Sequence, residues 1–443
     1  MKIQLSDHFN YSKLIRFTLP TIVMMIFTSI YSVVDGFFIS NFVGITPFAA
    51  INLIMPFTQI LGCIGFMFGA GGSALASATL GEGDREKANR IFSMLVYITM
   101  ILGALLAVLG ILFIEPVALA MGADSELLPH CVTYGRILLI TLPAFMLQNI
   151  FQSFLVTAEK PILGLAVTVG AGLTNMVLDA LFIAGFRWGL VGAAAATDIA
   201  QCIGGIVPLV FFARKNSSTL KLGKFQWDAG SLLSSCANGS SELVSNISMS
   251  VVSILYNYQL MRFSGESGVA AYGAVMYVGF IFAAVFLGYS IGAAPVIGFH
   301  YGAKNQDELK GLFRKSMTLV TLASIVLAFA AFILSEPLAK LFVGSDPGVL
   351  RMTVTAFHFY ALSVLFSGFN IFGSAFFTAL NNGIVSAAIS FLRTLLFQIV
   401  CVLILPIFFE LNGVWYSLFV AEIFAMLVTL TFYIVKRREY HYF

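Results

Sequence analysis

Five carboxylic acids, Asp35, Asp179, Asp198, Glu242 and Glu422, stand inside long apolar runs of this 443-residue chain. A carboxylate held there ionised and unpaired is costly, so each acid must find a partner or serve a function. Asn175 and Asp179 are spaced i,i+4 and share one face of a helix, where they can converge on one ligand. With Asp35 and Thr197 they make a set of two carboxylates, an amide oxygen and a hydroxyl. That set suits a small hard cation such as Na+, or a carboxyl pair that shares a proton. Either would couple ion movement to transport.

Other polar residues are secondary candidates. Asp198 adjoins Thr197, and Glu242 follows the soft run NGSS, placed to face a central cavity. Glu422 and Arg393 form either a structural ion pair or part of the transport path. His358 is either a proton relay or a hydrogen-bonded packing residue. Pro20 removes a backbone hydrogen bond fifteen residues before Asp35, which marks a bend that is either a hinge or static. Most of the 15 Tyr, 44 Phe and 16 Met must face lipid or core, and those that line a central cavity would suit flat, apolar, cationic ligands.

The elements that position these groups follow from composition. Residues of the AVILMFWYC set make up 59% of the chain, only 10% are charged, and the mean hydropathy is +0.95. That excludes a soluble enzyme, a nucleic-acid binder and a disordered chain, all of which need more polar surface. The chain reads as an all-α polytopic membrane protein. Cutting at charge clusters and turn residues gives twelve spans, near 13–39, 46–79, 91–114, 131–158, 162–185, 189–213, 232–262, 268–301, 312–334, 351–379, 384–408 and 412–435. Spans 1, 2, 7, 8 and 10 exceed a bilayer core of about 30 Å and should tilt, bend or protrude. The five scattered cysteines read as packing residues, with no metal site. The polar N-terminal segment runs into span 1 without a cleavage site, so it is not read as a removed signal.

Eighteen of the 24 Lys and Arg fall on the side of the N-terminus, from Lys2 to Arg438, and four, Arg187, Arg262, Lys340 and Arg351, on the other. The positive-inside rule then places both termini in the cytoplasm. Sliding the chain along itself gives one recurring offset of 221 residues. Asn149–Ala158 (NIFQSFLVTA) meets Asn370–Ala379 (NIFGSAFFTA) with six of ten residues identical, and Gly44 meets Gly265, Gly81 meets Gly302 and Gly192 meets Gly413. The chain is therefore two six-helix lobes, 1–213 and 232–443, joined by a cytoplasmic connector 214–231. Because six is even, the lobes are parallel repeats about an axis along the membrane normal, with substrate bound between them.

Depth along the spans groups the first set. At 1.5 Å per residue Asp35 lies about 6 Å, Asp179 about 9 Å, Thr197 about 12 Å and Asn175 about 15 Å from the side opposite the termini. At the 221 offset they become Tyr256, Val400, Leu418 and Leu396. An architectural role would recur in both halves, so the cluster is a specialisation of the N-lobe.

These residues resemble the multidrug and toxic compound extrusion (MATE) family, in its bacterial MepA-like, DinF-related branch. The similarity covers essentially the whole chain. It is carried by LPTIV and YSVVDGFFIS in span 1, GAGGSALAS and LGEGDREKANRIF around the end of span 2, QNIFQSFLVTAEKP in span 4, NMVLDALFI in span 5 and GAAAATDIAQ in span 6. The resemblance implies a twelve-helix antiporter of the bacterial inner membrane that exports cationic or amphipathic drugs against H+ or Na+. It also implies that Asp35, Asn175, Asp179 and Thr197 form the N-lobe cation site and that Pro20 is the bending proline. No acid lies between Arg351 and Ala379, so a C-lobe ion site is not expected. H+ is the preferred coupling ion, because Val34, Phe37, Val177 and Leu178 surround the site with apolar groups. A monomer, free of cofactor and nucleic acid, is expected. Two alternatives are a lipid-linked oligosaccharide flippase of the same superfamily and a major facilitator transporter. The first would need several basic residues in its cavity, where only Arg136 and Arg393 fall within spans.

Overall fold

Polar turns punctuate the apolar runs, and many of them start the next helix in the same way. Asn10, Asp84, Asp228, Asn305 and Asn382 each accept the amide three residues on, at 2.8 to 3.2 Å. Each cap satisfies an amide that the first helical turn leaves unpaired. The computed structural model describes residues 3–344 and 346–443, with no strand among the described residues. Lys2, counted above among the basic residues, and the side chain of Phe37 lie outside that description.

The helices are α1 (Tyr11–Phe42), α2 (Ile45–Gly81), α3 (Arg85–Ala120), α4 (Leu127–Ile140), α5 (Leu142–Thr157), α6 (Pro161–Asp179) with a π turn (Ala180–Gly185), α7 (Gly189–Ala213), α8 (Ala229–Gly302), α9 (Gln306–Ile333), α10 (Ser335–Val343), α11 (Pro347–Ala379), α12 (Gly383–Phe391) with a π turn (Leu392–Leu396), and α13 (Phe397–Tyr440). Two are too long for one crossing. The 74 residues of α8 would extend about 110 Å. Instead the helix reverses at Gly265, where φ is 62°, and Tyr256 stacks on Tyr272 at 5.1 Å across the turn. The 44-residue α13 reverses at Glu410, where φ is 49°, and Phe397 meets Phe424 at 5.8 Å. Counting α4 and α5 as one span bent by 57°, the crossings number twelve, as the sequence predicts.

The repeat extends to backbone conformation. Positive φ occurs at Gly44 and Gly265, at Gly83 and Lys304, and at Gly189 and Glu410, each pair 221 residues apart. Lys304 and Glu410 hold a conformation that costs a β-carbon-bearing residue about 1–2 kcal/mol, so the turn is dictated by the lobe and not by the residue.

Two details depart from the sequence reading. Span 3 is longer, because Arg85–Arg90 and Glu115-Pro116 continue the helix; charge marks where the bilayer ends, not where the helix does. Span 4 is broken at Thr141, just before Pro143, whose missing amide fits the first turn of α5. By contrast α1 runs as one helix from Tyr11 to Phe42 through Pro20.

The lobes meet mainly on the half of the molecule that carries both termini. At Gly81 a β-carbon would overlap the Phe299 carbonyl, and at Gly302 it would overlap that of Ala78. Gly71 and Gly239 cross in the same fashion, and Gly288 and Gly292 admit the backbone of Thr18, Thr21 and Ile22 on α1. Residues before α1 strap this seam. Leu5 and Phe9 are buried in the C-lobe core. Glu159, at the end of span 4, accepts from Leu5 N at 3.0 Å; Glu308 accepts from Phe9 N at 2.8 Å and meets His8 Nδ1 at 2.6 Å. Lys315 Nζ donates to the Phe9 carbonyl. Lys13 at 2.9 Å and the Gln4 amide hold the Asp7 carboxyl below the usual carboxylate range.

Candidate functional site

In the N-lobe α1 and α6 run parallel, and Gly172 sets their register. A β-carbon there would press into the rings of Phe27 and Tyr31, so the helices approach closely one turn before the polar residues begin. Asp35 and Asp179 then turn their carboxyls toward each other. Asn175, on the same face of α6 as Asp179, is 2% exposed, and Asp179 is fully buried. Asp35 Oδ1, both Asp179 oxygens, Asn175 Oδ1 and Thr197 Oγ1 have no hydrogen-bond partner. No ion pair among the described residues involves either acid.

A residue that the sequence reading passed over completes the cluster. Tyr134 on α4 is fully buried, its unpartnered hydroxyl faces Thr197, and it feels the charges of Asp35, Asp179 and Asp198. Depth would have found it. Tyr134 lies seven residues into α4 from the far side, about 10 Å down, in the layer of Thr197.

The chemistry of this cluster is that of acceptors lacking a donor. Two facing carboxylates cannot both stay ionised in a dry site without a cation or a proton between them. Asn175, Thr197 and Tyr134 add oxygens that would complete the coordination of a small cation or orient a shared proton. No group of three or more His, Cys, Asp or Glu suited to a transition metal occurs among the described residues.

Asp198 stands apart from the pair. It accepts from Thr141 Oγ1 at 2.7 Å, at the break between α4 and α5, and so ties span 6 to the bend of span 4. Glu242 lies on the outgoing arm of α8 near Cys63 of α2, at the lobe seam and away from the cluster. The C-lobe treats its acid differently. Glu422 accepts from Arg393 Nε at 2.9 and 3.1 Å and Nη2 at 2.9 Å, and from Asn370 Nδ2 at 2.7 Å, while Thr429 donates to Asn370 at 3.0 Å. The structure thus pairs Glu422 with Arg393. Asn370 is the repeat partner of Asn149, whose Nδ2 is unpartnered. His358 meets Ser335 Oγ at 3.1 Å and stacks on Phe332 at 4.3 Å, an environment of packing at the far end of span 9.

The sequence pattern of the MatE family matches residues 20–181 and again residues 243–404, once per lobe. The chain belongs to the MatE family. This membership removes the major facilitator alternative and makes the protein a multi-span membrane transporter in family. The multidrug export protein MepA of Staphylococcus haemolyticus (strain JCSC1435) is 24% identical over 430 residues, covering 97% of this chain and 94% of the relative. Among solved structures, a MATE protein in complex with MaL6 superposes with a TM-score of 0.92 at 21% identity, covering 97% of both chains. An outward-facing multidrug resistance MATE family transporter of the MOP superfamily gives 0.91 at 21% identity, covering 97% of this chain and 96% of the other. These likenesses fix the twelve-helix, two-lobe fold of this MatE protein.

Proposed function

We propose that this MatE protein is a secondary active multidrug efflux antiporter, exporting cationic and amphipathic compounds by alternating access in exchange for H+, with Na+ as the other possible coupling ion. The observation that carries the reading is the N-lobe cluster in which Asp35 and Asp179 face each other with acceptor oxygens lacking donors. An ion that enters neutralises the pair, and an ion that leaves makes the two acids repel. α1 is the lever. It bears Asp35 near one end and, on either side of Pro20, the Thr18 and Thr21 contacts with Gly288 and Gly292 near the other. Repulsion at the pair therefore bears on the lobe seam through one helix.

Beyond the exported compound and the bilayer the scheme needs only the coupling ion, and it proceeds without covalent chemistry, cofactor or nucleic acid. The lobes 1–213 and 232–443 work as a monomer in a bacterial cell membrane, with both termini and the 214–231 connector in the cytoplasm. The drug reading draws on the relatives named as multidrug exporters. The flippase reading is disfavoured because Arg393 is spent on Glu422, leaving only Arg136 of the two basic residues within the spans to meet a pyrophosphate. The test is efflux of a fluorescent cation from sealed vesicles, with a pH gradient and no sodium set against a sodium gradient at constant pH. Transport under the first condition supports H+ coupling. Transport driven only by sodium replaces H+ with Na+, and transport under neither overturns the antiporter.

A further inference from the structure

The segment between α7 and α8 is pinned to α3 along its length. Lys221 N donates to Asn89 Oδ1 at 2.8 Å, Gly223 N to Ser93 Oγ at 2.8 Å, and the Phe225 ring meets Tyr97 edge-on at 6.2 Å. Asn89, Ser93 and Tyr97 are successive turns of one face, so the chain descends about 12 Å along α3 before returning. Asp228 N then donates to Met94 Sδ at 3.3 Å, and its carboxyl caps α8. Leu220, at the start of the descent, is fully buried, yet Phe225 is 47% and Trp227 64% exposed. A tip so firmly held presents these two rings outward by construction.

Its depth can be read from α3. Ile101, one turn past Tyr97, begins a stripe of exposed apolar side chains that continues through Leu105, Val108 and Leu112. That stripe must face lipid. Tyr97, Phe225 and Trp227 accordingly stand at the border of hydrocarbon and headgroups, where amphipathic rings collect. On the headgroup side, Arg90 shares the face of α3 that bears Met94, Tyr97 and Ile101, with Lys87 one turn further out. Lys221 and Lys224 lie on the descending chain. None of these four cations is ion-paired among the described residues. Of the acids beside them, Glu86 stands one turn before Arg90 on α3, and Asp228 is engaged chiefly by Ser231, whose hydroxyl lies 2.6 Å from it and, with a weaker attraction from Lys87, holds its carboxyl below the usual range.

We propose that Lys87, Arg90, Lys221 and Lys224, set above the Phe225 and Trp227 tip, form a docking site for the headgroup phosphate of an anionic phospholipid. A lipid seated there fixes the connector, and through the Asp228 cap the start of the C-lobe, to one leaflet. Basic residues near an anionic surface attract it and an aromatic tip sets the depth, so both features are needed. The site does not depend on the transport reading.

The experiment reconstitutes the full chain in phosphatidylcholine vesicles and measures the part of the tryptophan fluorescence that Trp227→Phe removes. Quenching by acyl-brominated phosphatidylglycerol is compared with quenching by acyl-brominated phosphatidylcholine. The expected result is a preference of roughly tenfold for the anionic lipid, lost in Lys221→Gln/Lys224→Gln and reduced in Arg90→Gln. Equal quenching by the two lipids, or a preference unchanged in these variants, overturns the proposal. So does a preference abolished by inorganic phosphate, which would make this a site for a soluble anion.

Discussion

Asp35 of α1 and Asp179 of α6 face each other beyond the point where Gly172, two turns before Asp179, lets the two helices close on the rings of Phe27 and Tyr31. The close approach forces the two acids together, and no basic residue among those described is paired with them. Removing one charge should therefore uncouple the protein without unfolding it, since an amide is less costly to bury than a second carboxylate. Asp35→Asn and Asp179→Asn are expected to reduce ion-driven efflux to below about a tenth while leaving insertion and thermal unfolding close to wild type. Efflux at the wild-type rate in well-inserted Asp35→Asn would sink the assignment.

Pro20 lies on α1 between the acid pair and the seam contact of Thr18, and next to that of Thr21, yet the helix continues through it. If α1 flexes there during the cycle, Pro20→Ala should slow turnover several-fold and leave drug affinity nearly unchanged. Turnover equal to wild type would mean that the proline serves only packing.

Gly302 and Gly81 meet carbonyl oxygens of the opposite lobe with no room for a β-carbon. Gly302→Ala is expected to hold the seam apart, so a cysteine introduced at Ala78 should react faster with a membrane-impermeant thiol reagent added on the terminal side. Drug efflux should fall in parallel. An unchanged labelling rate would show that the helices shift to absorb the methyl group.

Arg393 and Glu422 are expected to act as a structural pair. Arg393→Met leaves a buried carboxylate without its partner and should cost about 3–5 kcal/mol, read as a fall in melting temperature in detergent. Arg393→Met/Glu422→Met should recover most of that stability, and efflux with it. A stable double variant that fails to transport would instead place the pair in the transport path.

The strap before α1 should loosen when its anchor is removed. Glu308→Ala takes away the acceptor of Phe9 N and the partner of His8, and amide exchange over residues 5–9 should quicken by tenfold or so. Acid should act in the same direction. The Asp7 carboxyl sits below the usual range through Lys13 and the Gln4 amide, so its contribution is present at neutral pH and lost as pH falls through the folded value. Exchange that slows in acid, beyond the intrinsic chemical trend, would contradict this.

The twelve spans, the repeat and the acids of the first site were legible because each leaves a local mark: a run of apolar residues, an offset, a charge where charge is costly. Tyr134 was not, since a tyrosine in a span carries no such cost and only its depth beside Thr197 gives it meaning. The strap left no such mark either. Leu5 and Phe9 are two apolar residues among polar ones, and their burial depends on Glu159 and Glu308, which lie 154 and 299 residues away in sequence. The break at Thr141 and the unbroken α1 expose another limit. Thr-Leu-Pro occurs in both, and the tertiary partners of each segment, Asp198 in one and Gly288 with Gly292 in the other, differ.

The crossing of Gly81 and Gly302 has a kinetic side. A joint faced with side chains must find matching rotamers each time it shuts, and each long side chain immobilised gives up entropy. Here carbonyls and α-carbons meet bare, with nothing to re-sort. Such a joint can shut and part many times with little entropic toll, and its speed is left to the helices that swing it.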